Sequence, residues 1–271
     1  MSVNVFPLPD PNPGQSQTRR FVLSPIIVTI LLSLFTPAPL HAFDFGQWDA
    51  ILKKNTRKSN WKGVSYTGFD YAGVAGSKEF DKLIAGLETF SPETLRGRDE
   101  IISFWINVYN IFAVKLARDH FPVKGIKDIG SVIYPVWKHP AGKVGSKSYS
   151  LDDIEHNILR PMNEPAIHFA IVCASVSCPD LRTESYTAPA LREQLKTQTR
   201  LFLENSGKGM RVEHENKTVH LSMIFDWYKK DFDAAGGVIG FLNSEMGGRR
   251  KIPADYSIKS LPYNWDLNIT R

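Results

Sequence analysis

The chain has 271 residues, of which 42% are hydrophobic and 11% aromatic, so it can bury one substantial core or two small ones. Its formal net charge is only +5, and the basic residues are dispersed apart from two short clusters, 53–58 and 249–251. Neither cluster alternates with aromatic residues, as a groove for single-stranded nucleic acid does. The composition therefore argues against a nucleic-acid-binding protein.

The N-terminal region has the pattern of an export signal. Arg19 and Arg20 precede the apolar run Phe21–Phe35, which is short for a membrane span of roughly 20 residues. Small and turn-forming residues follow, and we expect cleavage after Ala42. The pattern predicts a signal peptide over 1–42 and a periplasmic or secreted protein, with no integral membrane span once the signal is removed. An uncleaved N-terminal anchor is the alternative interpretation.

The first half of the mature chain is predicted to be mainly helical. Phe43–Leu52 and Ser77–Phe90 carry apolar residues at helical spacing, and Val64–Val74 is typical of an extended segment. Arg98–Phe121 is the longest predicted helix, and it ends before Pro122, which cannot continue it. Because this helix is apolar on nearly all sides, we expect it in the middle of a domain.

A narrow polar stripe interrupts that helix. Ser103, Asn107 and Asn110 are spaced four and three residues apart, so they lie on one face. Buried amides need hydrogen-bond partners, since an unmet polar group costs about 1–3 kcal/mol. The stripe therefore either pins the helix to neighbouring backbone or lines a site.

Two further segments precede the cysteines. Ile129–Tyr149 is predicted to be a hairpin, and Ser150–Arg160 a short helix with acidic residues in its first turn. Glu155 falls on the apolar face of this helix, and His156 lies near the edge of that face. A buried carboxyl group must be paired or protonated. Glu155 is either half of a salt bridge, with Arg160 or Arg182, or a catalytic acid.

The second half of the chain mixes strands and helices. The predicted elements are a buried strand within Ile167–Pro179, a helix over Thr187–Asn205, a hairpin around 215–217, helices over Ser222–Phe232 and Gly237–Met246, and an extended end over Ser257–Asn268. There are no repeats and no linker. We therefore predict a single compact α+β domain over 43–271, with a small, mostly antiparallel sheet packed by helices around a buried central helix.

Cys173 and Cys178 are first a disulfide candidate, because an exported protein meets an oxidising compartment. The alternative makes Cys173 a nucleophilic thiolate, which needs a nearby base. In a regular strand, His168 would lie on the opposite face from Cys173, which leaves His156 as the candidate base, oriented by Glu155 or by an asparagine amide.

Several separated motifs identify a resemblance. The chain resembles the domain of unknown function 547 family in five motifs: FWINVYNIFAV, SLDDIEHNILRP, HFAIVCASVSCPDLR with Tyr186 following, FDWYKKDF and YNWDLN. The resemblance covers roughly Val64 to Asn268. It implies a secreted bacterial member, although the family also includes domains of plant leucine-zipper and glutaredoxin-like proteins. Plant relatives usually carry serine where Cys178 stands, which implies that Cys178 is the more dispensable cysteine.

Three functions remain open from the sequence. The first is a thiol-dependent hydrolase or acyl-transfer enzyme centred on Cys173, with His156, Glu155 and Asn107 as its other catalytic candidates. The second is a non-catalytic periplasmic binding or scaffold domain with a structural disulfide, and the third is a thiol redox protein. The candidate binding residues are Asn110, His168, Cys178 and Tyr186.

The expected partner is a small molecule, a peptide or an envelope component. We expect no cofactor. We also expect no metal, because His214 and His220, which we predict to face each other across a hairpin, have no cluster of acids or cysteines beside them.

Overall fold

The computed structural model describes residues 42–247 and 251–271, and the predicted signal peptide therefore lies outside the described residues. The α-helices are α1 (Gly46–Asn55), α2 (Lys78–Thr89), α3 (Arg98–Asp119), α4 (Leu191–Leu203), α5 (Ile224–Trp227), α6 (Lys229–Asp233) and α7 (Gly237–Glu245). The strands are β1 (Thr56–Trp61), β2 (Val64–Phe69), β3 (Pro140–Val144), β4 (Lys147–Ser150), β5 (Met210–Glu213), β6 (Thr218–Leu221) and β7 (Ser257–Ser260).

Shorter helices connect these elements. Asp153–Leu159 is a π-helix, and the 3₁₀-helices are Pro92–Thr94, Ile126–Ile129, Val136–Lys138, Arg160–Met162, Pro165–Phe169 and Ala188–Ala190. The predicted strand over the first part of Ile129–Tyr149 is wrong, because Val136–Lys138 is helical there and the hairpin is formed by β3 and β4.

Helix α3 is the centre of the fold, as its apolar pattern predicts. Its residues from Ile102 to Val114 are all buried, and they pack in one core with α1, α2 and the π-helix. The helix is long and apolar enough to cross a membrane, but 83% of its most apolar window is buried inside the protein, which is the environment of a core helix. Strand β3 approaches α3 so closely that a Cβ atom at Gly142 would overlap the ring of Phe112.

The strands form three small sheets. β1 and β2 pair antiparallel, as do β3 and β4, while β6 lies between antiparallel β5 and parallel β7. A second core, rich in phenylalanine, joins the last sheet to α4 and to α5–α7 around Phe169, Phe225 and Phe232. The prediction of a compact α+β domain is confirmed.

The prediction of a strand within Ile167–Pro179 is wrong. Pro165 opens a 3₁₀-helix that ends at Phe169, and the chain then runs through the core with an isolated bridge at Ser175 but no assigned strand. The Asn110 amide bonds the backbone of this segment, at Ala170 and Val172. An apolar run can be buried in this way without a sheet ladder, because side-chain amides satisfy the polar backbone groups instead.

The C-terminal segment holds this irregular stretch from the other side. Backbone N–H groups of Val176 and Ser177 donate to the carbonyls of Asp266 and Asn264, at 2.9 and 3.2 Å. An isolated bridge also joins Ser175 to Leu267. The end of the chain is thereby placed beside the cysteines, although about 90 residues separate the two in sequence.

Candidate functional site

A cleft of about 500 Å³ lies where the π-helix, the cysteine segment, α5 and the C-terminal segment meet. It is lined by Tyr109, Lys127, Trp137, Asp152, Glu155, His156, His168, Ile171, Cys173, Cys178, Pro179, Ile224, Trp227, Tyr228, Tyr263 and Trp265. Aromatic walls around a few convergent polar groups are the usual composition of a small-molecule site. A larger cavity of about 640 Å³, beside Phe43 and Pro189, carries charged side chains that are mostly exposed, so it offers no comparable polar centre.

One wall of the cleft is a cluster of aromatic rings. The ring centroids of Trp227, Tyr263 and Trp265 lie 4.4–5.5 Å from one another. Trp137 adds a fourth ring, 6.1 Å from Trp265, and the Lys127 ammonium lies 4.6 Å from the Trp265 centroid. Trp227 remains 43% exposed, so part of the cluster is open to a ligand.

Glu155 supplies a buried acid to the cleft. It lies on the π-helix, a rare helix form that is often found at functional sites. Only 9% of its side chain is exposed, and burial raises its pKa, while the neighbouring Tyr228 hydroxyl offsets part of that rise. Its Oε2 accepts a long hydrogen bond of 3.5 Å from the Tyr109 hydroxyl, whose own pKa is raised by burial and by Glu155. Glu155 therefore keeps its proton to a higher pH than an exposed glutamate does.

The predicted salt bridges of Glu155 are wrong. The Arg160 guanidinium binds both carboxylate oxygens of Asp231, with Nε–Oδ2 at 2.7 Å and Nη2–Oδ1 at 2.8 Å, and Arg182 pairs with Glu184. Both arginines form ion pairs with carboxylates that are more accessible to solvent than Glu155. An ion pair loses less solvation there than it would at the buried Glu155.

His168 is held by the same arginine–aspartate pair. Its Nε2–H donates to Oδ2 of Asp231 over 2.8 Å, and its ring stacks on Tyr228 with the centroids 4.0 Å apart. Burial lowers the pKa of His168 to about 4, against the opposing effect of Asp231, while the Arg160 hydrogen bonds lower the pKa of Asp231 to about 2. His168 is therefore neutral at pH 7, and its Nδ1 is left as a hydrogen-bond acceptor.

His168 thus belongs to the cleft, although strand geometry predicted that it would be separated from Cys173. That argument assumed period-two alternation from His168 to Cys173, and no strand is present between them. Both residues line the cleft, and His168 Nδ1 faces Glu155 Oε1 at 3.9 Å. The irregular backbone removes the alternation on which the prediction rested.

The two cysteines form a disulfide in the wall of the cleft, with an S–S distance of 2.03 Å. Cys173 N–H and the Tyr263 hydroxyl both donate to the Cys178 sulfur, at 3.0 and 3.2 Å. The Ser175 hydroxyl lies 3.0 Å from the sulfur of Cys173. In the part of the chain that the structure describes, no histidine is hydrogen-bonded to either sulfur.

His156, the predicted base, lies on the exposed side of the cleft. Its Nδ1 accepts from Arg160 Nη1 at 2.7 Å, and its Nε2 lies 3.6 Å from Asp152 Oδ1. The ring is therefore oriented by Arg160 and Asp152, whereas the prediction assigned that task to Glu155 or an asparagine.

The asparagine stripe lies outside the lining of the cleft and bonds backbone. Asn107 donates to the Tyr186 carbonyl at 2.8 Å and accepts from the Tyr186 N–H at 2.9 Å. Asn110 makes the same pair of bonds to Ala170 O and Val172 N, at 3.0 and 2.8 Å. Tyr186 is buried beside the larger cavity. Asn107 and Asn110 thus hold the chain on either side of the disulfide in place.

Among the site residues that were not singled out from the sequence are Trp227, Tyr228, Asp231, Tyr263 and Trp265. They lie in FDWYKKDF and YNWDLN, two of the motifs that carry the family resemblance. Dense aromatic residues beside aspartates were the available signal, but only the fold brings them to Glu155 and His168.

The structure also bears on metal binding. Within 42–247 and 251–271, no group of three or more histidine, cysteine, aspartate or glutamate side chains could hold a metal ion. The prediction that His214 and His220 face each other is wrong. His220 lies opposite Arg211 and contacts Glu213 at 3.1 Å, and His214 bonds the Tyr256 hydroxyl.

Residues 92–203 match the model of a protein family described as "Protein of unknown function, DUF547". The match begins at the first 3₁₀-helix and ends with α4, so it includes α3, the π-helix and both cysteines. It supports the assignment of this segment to that domain family, in agreement with the resemblance seen in the motifs. No curated protein and no solved structure matches the chain.

Proposed function

We propose that this chain is a binding domain, that the aromatic cleft is its ligand site, and that the disulfide is a structural part of the wall. The observation that carries this proposal is the bond between Cys173 and Cys178 inside the cleft. A cysteine nucleophile must be a free thiolate, and sulfurs bonded to each other cannot supply one. Binding then falls to the aromatic rings and to the polar groups that remain.

The lining favours an uncharged ligand with a flat apolar face and hydrogen-bonding groups at its edge. The cluster of Trp227, Tyr263 and Trp265 offers the apolar contact. Glu155, with its pKa raised by burial, offers a carboxyl group that donates when it is protonated, and His168 Nδ1 offers an acceptor. A small molecule, a short peptide or a fragment of the cell envelope has this combination of groups.

The first experiment is a thiol titration under non-reducing conditions, in the native and the denatured protein. We expect no reactive sulfur in either state, and two after reduction. One fast-reacting thiol in the native protein would contradict the proposal and favour a thiol-dependent hydrolase or acyl-transfer enzyme.

A second experiment tests the cleft itself. Because Trp137, Trp227 and Trp265 line it, intrinsic fluorescence can report titration with chitotetraose, a muropeptide or a neutral tetrapeptide. We expect one of these probes to change the emission at saturation, and Trp227→Ala to weaken that binding at least ten-fold. Leu201→Ala, at an exposed site outside the cleft, is the matched control and should leave the affinity unchanged.

A catalytic role is the second candidate, and one observation favours it. A chain of contacts runs from Arg160 to Asp231 and on to His168. It ends in the cleft, where His168 Nδ1 faces Glu155 Oε1. An aspartate that orients a histidine is a common arrangement for acid–base catalysis. Chemical conversion of a bound probe by the protein would support this catalytic role. If Glu155→Gln abolished the conversion but kept the binding, the catalytic role would replace the binding proposal.

We also propose that the protein is exported and that its ligand belongs to the envelope or the medium. The apolar run Phe21–Phe35 behind Arg19 and Arg20 supports this. N-terminal sequencing of protein isolated from the producing cells should give Phe43 as the first residue. A chain that retains residues 1–42 in the soluble fraction would contradict export by this route.

A further inference from the structure

The most exposed apolar side chains that the structure describes lie at one turn. Val132 and Ile133 are essentially fully exposed, at 102% and 96%, and the neighbouring Tyr134 is 49% exposed. Single exposed apolar residues are common on protein surfaces, but two adjacent β-branched residues at the tip of a turn are not explained by packing.

The turn is held in shape by its own hydrogen bonds. Ser131 N–H donates to the Tyr134 carbonyl, and Tyr134 N–H donates back to the Ser131 hydroxyl, both at 2.9 Å. The Tyr134 hydroxyl donates to the Lys138 carbonyl at 2.7 Å, and the Tyr134 ring stacks on His139 with the centroids 4.5 Å apart. The apolar tip is therefore preorganised, so contact with a partner costs little further ordering.

The sequence on either side of the tip is predominantly basic. Lys124, Lys127 and Lys138 are all exposed, and Asp128 is the one acidic residue between His120 and Pro140. The Asp128 carboxylate accepts the Gly125 N–H at 3.1 Å. An apolar tip with exposed lysines on both sides is complementary to an anionic surface that has an apolar layer beneath it.

We propose that the turn Ser131–Tyr134 docks this domain on an anionic lipid bilayer, with Val132 and Ile133 in the interfacial region and the three lysines at the headgroups. A protein partner fits the feature less well, because a stable interface buries about 800 Å² on each side and a two-residue protrusion offers much less. A bilayer accepts a single protrusion without needing a complementary pocket.

The docking turn is continuous with the candidate site. Trp137, which follows Tyr134 by three residues, lines the cleft, and Lys127 lies over the Trp265 ring. Docking at Val132 would bring the mouth of the cleft near the membrane surface. The docking proposal does not depend on the cleft being a binding site, because its evidence is the exposed turn alone.

The test uses the full 271-residue chain with Val132→Cys, labelled with the environment-sensitive dye NBD under non-reducing conditions. Unsubstituted chain, treated in the same way, measures any labelling of the native cysteines. We expect a blue shift of NBD emission on vesicles of 70% phosphatidylcholine and 30% phosphatidylglycerol, and a much smaller shift on phosphatidylcholine alone. A nitroxide on the upper acyl chain should quench the shifted emission.

A matched label at Leu201→Cys controls for anchoring by the apolar N-terminal run. Leu201 is 53% exposed and lies on α4, so its dye should stay in water even if residues 21–35 insert into the vesicle. Equal shifts at positions 132 and 201 would overturn the proposal. A shift at position 132 that needs no lipid but rises with protein concentration would also overturn it, and would identify a second copy of the chain as the partner.

Two variants of the labelled chain separate the apolar and the electrostatic contributions. Ile133→Asp should abolish the shift at position 132, because a charge at the tip opposes insertion. Lys124→Glu with Lys138→Glu should weaken binding to the anionic vesicles at least about 25-fold, since each lysine contributes about five-fold near such a surface. Both variants change exposed side chains, and circular dichroism should show an unaltered fold. Vesicle binding that neither variant changes would contradict docking through this turn.

Discussion

Oε1 of Glu155 and Nδ1 of His168 face each other at 3.9 Å, and among the residues that the structure describes neither atom has a hydrogen-bond partner. The two groups respond to burial in opposite directions. Burial raises the pKa of Glu155 and lowers that of His168, so it disfavours the charged form of both groups. At this distance the two atoms make no direct hydrogen bond, and a ligand that enters the gap can bond to both.

The pH dependence of stability should reveal Glu155. A carboxyl group whose pKa is raised by folding stabilises the protein below its ordinary value of 4.5, and this contribution is lost as the pH rises through the folded-state pKa. Glu155→Gln cannot ionise. Its free energy of unfolding, measured by urea denaturation, should therefore increase relative to the unsubstituted protein from pH 4 upwards. The exposed Glu215→Gln is the control and should show no such trend.

His168 should contribute in the opposite sense. Its pKa is lowered from 6.5 to about 4, so the unfolded chain binds more protons between these values, and stability is lost as the pH falls from 6.5 to 4. The loss should approach about 3 kcal/mol. His168→Gln keeps an N–H donor for Asp231 but does not titrate, and it should flatten this part of the profile. The exposed His214→Gln should leave the slope unchanged.

The Arg160–Asp231 pair should stabilise the protein measurably. Its two parallel hydrogen bonds and its partial burial distinguish it from an exposed ion pair. Arg160→Lys keeps the charge but loses the bidentate geometry, and we expect it to reduce the free energy of unfolding by about 1–2 kcal/mol. The pKa of Asp231 should rise, which NMR titration can follow.

The neighbouring pair Lys229–Asp233 provides the contrast. Both side chains are about half exposed or more, at 63% and 47%. Lys229→Ala should therefore change the stability very little. Equal effects of Arg160→Lys and Lys229→Ala would show that the geometry of the Arg160 fork is unimportant.

Lys208 should be important for the structure of the disulfide segment. Its ammonium group is buried and donates to the Cys178 carbonyl at 2.7 Å and to Asp180 Oδ1 at 2.6 Å. Lys208→Met leaves that carbonyl and a partly buried carboxylate without their donor, and we expect a loss of about 2–4 kcal/mol in thermal or urea unfolding. Lys208→Met with Asp180→Asn should recover part of it. No recovery would mean that the unpaired carboxylate is not the source of the loss.

The disulfide itself should contribute less. Closing a loop of five residues stabilises a chain by about 2 kcal/mol on the loop-entropy model. Cys173→Ser with Cys178→Ser should lower the free energy of unfolding by about that amount and leave ligand binding in the cleft largely intact. Complete loss of binding with an intact fold would show that the sulfurs take part directly.

The amino-acid pattern was sufficient for most of the helices and for the fold class. The apolar pattern of Arg98–Asp119 predicts a helix that is buried on nearly all sides, and the 83% burial of its most apolar window identifies it as the central helix of the domain. The proline at 122 marks a helix end through local backbone chemistry alone. The burial of Glu155 also followed from helical periodicity, and the two cysteines, five residues apart, suggested their own disulfide.

Only the tertiary structure decided how the cysteine segment runs and what surrounds Glu155. The apolar residues after Phe169 would suit a strand, but the Asn110 amide and the carbonyls of Asn264 and Asp266 take the backbone bonds that a neighbouring strand would have made. These partners are 60 to 90 residues away, so no local pattern records them. For the same reason the sequence does not show that Asp231 lies beside His168 or that Tyr263 lies beside the disulfide. A side chain's neighbours across the core depend on chain topology, whereas helix periodicity depends on the residues themselves.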